Sequence, residues 1–280
     1  VAAMRARPSR RAMERSTAGS DNSRPKRALE KNAVSTNPAK TKTVVSLAEL
    51  AERFGLTLHG DPAAQIDGVG TLSSAGPSQL SFLSNSKYAP QLAATRAGVV
   101  ILRERDLPAC RTAALVAADP YVAYAKVAAL FERSMTAPAG IHPTAVVAEG
   151  AQVAPTASIG PGCVIDADAV IEDGAVLGPH CIVGPECVVG AQSRLVARVT
   201  LVLRVVLGKR VLIHPGAVLG ADGFGLAFDQ SHWIKLPQLG GVRVGDDSEI
   251  GANTTIDRGA LEDTVLEEDV RLDNQIQIGH

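Results

Sequence analysis

From Ile141 to Leu219 every sixth residue is aliphatic, fourteen times in succession: Ile141, Val147, Val153, Ile159, Ile165, Ile171, Leu177, Val183, Val189, Leu195, Leu201, Leu207, Ile213 and Leu219. An α-helix repeats about every 3.6 residues and a strand about every two, so neither keeps such a stripe on one face. A chain that turns a corner every six residues does. Self-similarity at this period is the mark of a parallel β-helix built from hexapeptide repeats.

With the aliphatic residue at position i, position i+4 is small or β-branched throughout: Ala145, Ala151, Ala157, Cys163, Ala169, Ala175, Cys181, Cys187, Ser193, Val199, Val205, Val211, Ala217 and Gly223. Both positions are expected to point into a narrow prism, the large residue filling the middle and the small one fitting near a corner. Glycine or a small polar residue is common at i+1 and proline recurs at i+2, as at Pro155, Pro161, Pro179 and Pro185. These read as turn residues, the glycines supplying positive φ and the prolines a preset φ. Three hexads make one triangular coil, and at about 4.8 Å per stacked strand the fourteen form a column of roughly 22 Å.

Residues 224–241 (FGLAFDQSHWIKLPQLGG) break the register and hold the single tryptophan, Trp233. Hexads return at Val244, Ile250 and Ile256, skip four residues, and continue at Leu266, Leu272 and Ile278. The chain stops at His280 in mid-hexad. An uncapped solenoid exposes unpaired backbone and apolar core, so the C-terminus reads as a truncation.

The net charge of −1 hides an asymmetry, because residues 1–42 carry eleven Lys/Arg against three Asp/Glu. This stretch is rich in Arg, Ser and Pro and lacks apolar periodicity, so a disordered basic tail is expected. Its composition also fits a transit peptide or a nucleic-acid-binding arm. The simplest reading is sequence upstream of the true start, since Met4 and Met13 follow Val1 closely. No secretory signal core and no run long enough to span a bilayer is present, so no transmembrane segment is expected. Of the four cysteines, Cys163, Cys181 and Cys187 occupy i+4 positions, where a free thiol serves as a small hydrophobe and fits a reducing cytoplasm.

Residues 43–137 read as a small α/β domain and 138–280 as the β-helix, with Ser134–Gly140 a linker between them. Ser46-Leu-Ala-Glu49 is a capping box opening a helix that Gly55 stops. Residues 98–102 and 113–116 read as buried strands, and Asp119-Pro120 opens a second helix running to about Arg133.

Several strings together resemble one family: SFLSNSKY (81–88), DPYVAYAKVAAL (119–130), GADGFG (220–225), HWIKLPQLGGVRVGD (232–246), IGANTTIDRGALEDT (250–264) and LDNQIQIGH (272–280). From about residue 44 onward the chain looks like the UDP-3-O-(3-hydroxyacyl)glucosamine N-acyltransferases of lipid A assembly in Gram-negative bacteria. The resemblance implies a left-handed parallel β-helix and a homotrimer with active sites between subunits. It implies transfer of a 3-hydroxyacyl chain from acyl carrier protein, bearing phosphopantetheine, to the 2-amino group of a UDP-sugar lipid. No separate cofactor, metal or nucleic acid is implied.

In that family the histidine of the DNQ-x-Q-I-x-H string is the general base, here His280. Chemically this is sensible, because an amine attacking a thioester must lose a proton and an imidazole accepts it near neutral pH. Asp273, one hexad back, either orients substrate or His280 or is a simple turn carboxylate. The family's uracil-binding residues fall on Phe82, Asn85 and Tyr88, an aromatic face plus an amide suited to a pyrimidine edge. GADGFG fails the dinucleotide fingerprint and reads as the bend into the Trp233 loop. His142, His180 and His214 lie on separate hexads, and no metal-ligand set assembles from them.

Family members continue beyond the position of His280, so the full gene product is expected to be an acyltransferase and this chain alone inactive or barely active. Two competing readings are a sibling sugar acetyltransferase using acetyl-CoA and a non-catalytic solenoid scaffold.

Overall fold

The computed structural model describes residues 43–132 and 137–280. The basic tail 1–42 and part of the expected linker lie outside the described residues. The chain divides into two compact units, with the division between Glu132 and Arg133.

The first unit is a five-stranded sheet in the order Thr57–His59, Ala113–Val116, Val99–Leu102, Gln79–Phe82, Gly68–Val69. The first pair is antiparallel and the others are parallel. The run Val-Val-Ile-Leu at 99–102 is fully buried because both faces of the sheet are covered. One face packs on the helices Leu47–Phe54 and Pro120–Ala128 through Leu47, Leu50, Ile101 and Val127. The other face holds Leu72, Leu83, Leu92, Val100 and Leu102. Ser46 caps the first helix by accepting the Glu49 N–H at 3.2 Å, and Gly55 ends it in the left-handed region. Asp119 caps the second through Tyr121 and Val122, and this helix tightens to a 3₁₀ turn at Ala129–Phe131, short of Arg133.

The second unit is the parallel β-helix. Its strands are mostly two residues long and stack into three parallel sheets of seven, seven and six strands. Register follows the repeat, Ser158 on Val176 and Ile159 on Leu177, then Val176 on Arg194 and Leu177 on Leu195. Position i and position i+4 fill the interior as expected: Ile165, Ile171, Leu177 and Val183 are at most 1% exposed, as are Cys163, Ala169 and Ala175 between them. Ile141 in the first coil is 50% exposed, its strand being the end member of its sheet among the described residues.

The turn chemistry differs from the expectation. Apart from Gly220 at the register break, glycines at i+1 do not supply positive φ; they stand where the next coil lies too close for a side chain. A Cβ on Gly178 would overlap the Val196 carbonyl oxygen, and one on Gly184 that of Val202. Positive φ occurs instead at i+3, in Gly162, Gly174 and Gly216 but also in Asp168, His180, Glu186, Gln192, Arg198, Arg204 and Arg210. A left-handed backbone costs a residue with a Cβ about 1 kcal/mol or more. The offset is a backbone bond to the coil below: His180 N–H to Pro161 O and Arg198 N–H to Pro179 O at 2.9 Å, Arg204 N–H to Pro185 O at 3.2 Å. Cys181 lies over Cys163, the residue preceding the paired strand one coil earlier. Their hydrogen bond and then burial push the Cys181 thiol up, and burial pushes Cys187 up to about 11.

At the register break the strand Val218–Asp222 bulges at Gly220, and an antiparallel hairpin follows, Leu226–Asp229 against His232–Lys235. The chain re-enters the column at Val242–Val244, pinned by Asp263, whose carboxylate accepts the Gly241 N–H at 2.6 Å and Arg243 Nε at 2.7 Å. The Gly241 amide first, then Arg243, holds the Asp263 carboxyl below the usual carboxylate range. A lowered folded-state pKa gives stability that is complete above the ordinary carboxylate value and is lost as pH falls through the lowered one. Asp263→Asn is therefore expected to cost about 1 kcal/mol at neutral pH. Thermal unfolding should show the gap to wild type constant above pH 5 and closing as the solution is acidified below the ordinary carboxylate range. A gap that persists unchanged at the acid end would refute the pinning role.

Candidate functional site

In the first unit, the strand Gln79–Phe82 delivers Phe82 at its end, and the chain then turns into the 3₁₀ segment Ser86–Tyr88 and the helical turn Ala89–Leu92. Asn85 caps that segment, its Oδ1 accepting the Lys87 N–H at 2.9 Å. Phe82 and Tyr88 meet in a pocket of about 360 Å³ whose other walls include Thr71, Leu72, Ser73 and Gln91. Asn85 stands beside this wall with its carbonyl committed to the cap. Phe82 stacks on Tyr124 with centroids 4.1 Å apart and planes at 24°, and Tyr121 leans on it at 5.7 Å. All three tyrosines of the chain thus gather around Phe82. Tyr121 and Tyr124 belong to the DPYVAY string, where their helical spacing reads as packing and gives no sign of a contact with Phe82.

In the second unit, His280 lies two residues beyond Ile278, which stacks on Ile256. Its ring is exposed and sits over Gly223: a Cβ at 223 would overlap the Nδ1–Cε1 edge of the imidazole. The bulge at Gly220 makes this contact, because it shifts the register so that Ala221 pairs with Asp257 and Asp222 with Arg258. Asp222 is ion-paired with Lys235 of the hairpin, which ties the hairpin to the residue beside Gly223. Gln277 bonds Thr255 and, at 3.2 Å, Asp257 on the coil below. Arg258 is buried and its Nε donates to the Gly240 carbonyl at 2.6 Å.

Asp273 serves its own turn. Its Oδ1 accepts the Asn274 N–H at 2.7 Å and its carbonyl accepts the Thr254 hydroxyl at 2.8 Å. Of the predicted residues, Phe82 and Tyr88 are brought together, and Asp273 and His280 share the last coil without a bond between them among the described residues. Gly223 carried a signal in the GADGFG string, but only as a bend. Among the described residues no three His, Cys, Asp or Glu side chains cluster in a way that could hold a metal. No helix of the described residues is long and apolar enough to cross a membrane.

The seat at Gly223 is testable by itself. Gly223→Ala should displace the imidazole, moving the His280 ring signals in a proton–carbon correlation spectrum. The unfolding temperature should fall little, since Gly223 is not among the apolar residues that fill the column. Unmoved ring signals would refute the seat.

The family model described as UDP-3-O-(3-hydroxymyristoyl) glucosamine N-acyltransferase, LpxD, matches residues 63–130. The UDP-3-O-acylglucosamine N-acyltransferase of Xanthomonas euvesicatoria pv. vesicatoria is 72% identical over 236 residues, 84% of this chain and 70% of that protein. The protein of the same name from Xanthomonas campestris pv. campestris is 71% identical over the same shares. That of Xylella fastidiosa is 68% identical over 237 residues, 85% of this chain and 70% of that protein. Repeat architecture and relatives together define a hexapeptide-repeat acyltransferase. More narrowly, the chain belongs to the UDP-3-O-acylglucosamine N-acyltransferase family.

Proposed function

We propose that this protein transfers a 3-hydroxyacyl chain from acyl carrier protein to the 2-amino group of UDP-3-O-(3-hydroxyacyl)glucosamine in lipid A biosynthesis. The observation that carries the reading is an exposed imidazole seated on a residue without a side chain, at the end of the string that matches this family. His280 is the general base. As the amine nitrogen attacks the thioester carbonyl, the imidazole takes the proton the nitrogen must shed. The tetrahedral oxyanion then collapses, the C–S bond breaks, and the phosphopantetheine sulfur leaves as thiolate to be protonated. The products are an amide and free carrier thiol, and no external oxidant or metal enters the balance.

Phe82 and Tyr88 supply aromatic surface for the uracil of the substrate, with Asn85 beside them for its polar edge. Asp273 orients substrate on the coil that carries His280. The hairpin exposes Trp233 at 65% and Phe224 before it at 88%. Contiguous exposed aromatics of this kind mark surface that another apolar group covers, and a homotrimer meets that need. Free thiols at Cys110, Cys163, Cys181 and Cys187 agree with a cytoplasmic location.

In a chain extended to the full length of its relatives, His280→Ala should lower kcat roughly 10²- to 10⁴-fold, the usual worth of a positioned base, in an assay with 3-hydroxyacyl carrier protein and UDP-3-O-acylglucosamine. Unchanged turnover would sink the assignment of the base. Acylation that proceeds equally well from acetyl-CoA onto a sugar without uridine would favour the sibling acetyltransferase.

A further inference from the structure

We propose that the turn Thr71–Ser74 is the second wall of the nucleoside pocket, its Thr71 and Ser73 hydroxyls recognising the ribose hydroxyls with help from the Gln91 amide. This rests on the nucleoside reading of the Phe82–Tyr88 pocket given above. The two walls differ in chemistry. Phe82 and Tyr88 present aromatic surface, whereas Thr71, Ser73 and Gln91 present neutral donors and acceptors.

Among the described residues, no charged side chain lines the pocket. A phosphate enclosed there would lose its water with no cation to compensate, which is costly. The pocket therefore takes the uncharged end of a sugar nucleotide and leaves its diphosphate outside. A volume of about 360 Å³ agrees, since it lies at the low end of the roughly 300–1,000 Å³ typical of small-molecule sites.

The hydroxyls are held in place before any ligand arrives. Thr71 Oγ1 is the hub, 2.7 Å from Ser74 Oγ and 3.1 Å from Ser73 Oγ, and it accepts the Ser74 N–H at 3.2 Å. The Thr71 carbonyl accepts the N–H groups of Ser74 at 3.1 Å and Ala75 at 2.9 Å, closing the turn. Leu72 and Ala75 anchor it in the same apolar cluster as Leu83, next to Phe82, and Leu92, one helical turn beyond Tyr88. The turn and the aromatic wall are thus fixed to one core, and each hydroxyl rotor remains able to donate or accept. A site built this way discriminates against an analogue lacking the matching hydroxyl, because its own polar groups would then be enclosed unpaired.

Titration calorimetry of the full chain with uridine and with 2′,3′-dideoxyuridine tests this. Ser73→Ala should weaken uridine binding about three- to tenfold, the worth of one neutral hydrogen bond. It should leave dideoxyuridine binding and the unfolding temperature unchanged, while Ser73→Thr restores uridine affinity. Phe82→Ala should lose both ligands. If Phe82→Ala loses uridine but Ser73→Ala and Thr71→Val bind it as tightly as wild type, the second wall is refuted and the aromatic pocket stands. If the wild-type chain does not bind uridine, the nucleoside reading and this inference fall together.

Discussion

The second unit depends on one constraint: every coil must lie flat enough on the next for each backbone amide to reach a carbonyl one strand spacing away. That separation is about 4.8 Å, and it decides what each position of the hexad can be. Over the glycines at i+1 a carbonyl of the neighbouring coil occupies the space of a Cβ, as Val196 O does over Gly178, so these glycines serve closeness rather than backbone freedom. At i+3 the chain turns through a left-handed residue, and the bond from His180 to Pro161 or from Arg198 to Pro179 compensates a conformation that would otherwise be unfavourable. Inside, a large aliphatic residue and a small one share each side. The buried thiols of Cys163 and Cys181 are part of that filling.

The candidate site lies where this regularity is interrupted. A column of perfect hexads offers only turns and flat faces. The extra residue at Gly220 shifts the strand by one, and the shift sets Gly223 beneath His280 and Asp222 within reach of Lys235. The hairpin that follows leaves Phe228, Trp233 and Ile234 exposed, and Asp263 returns the chain to register afterwards. The first unit follows a related logic. A sheet buried on both faces ends at Phe82, and the loops around that end carry Tyr88 and the hydroxyls of the 71–74 turn.

Much of the fold was legible from the period alone, because a side chain's inward or outward direction repeats with the coil. Ile159 through Leu219, the small residues at i+4, the capped helices at Ser46 and Asp119, and the interrupting loop all lie where pattern placed them. The role of the i+1 glycines was not, since a glycine needed for space and one needed for positive φ are the same letter. Arg198, Arg204 and Arg210 at left-handed turns gave no warning either, because the bond that stabilises each comes from a residue about three hexads back. Candidate site residues were legible only as members of strings, and Asn85 and Asp273 prove to be working members of their own turns as well.

Taken alone, the sequence determined the repeat, the interior residues and the family, for these are local properties of spacing and of residue strings. Tertiary structure decided which distant residues meet. Phe82 finds Tyr121 and Tyr124 because a helix packs across the end of its strand, and His280 finds Gly223 because a one-residue bulge changes the pairing between coils. Those contacts depend on register and packing between segments far apart in the chain, and no local pattern encodes them.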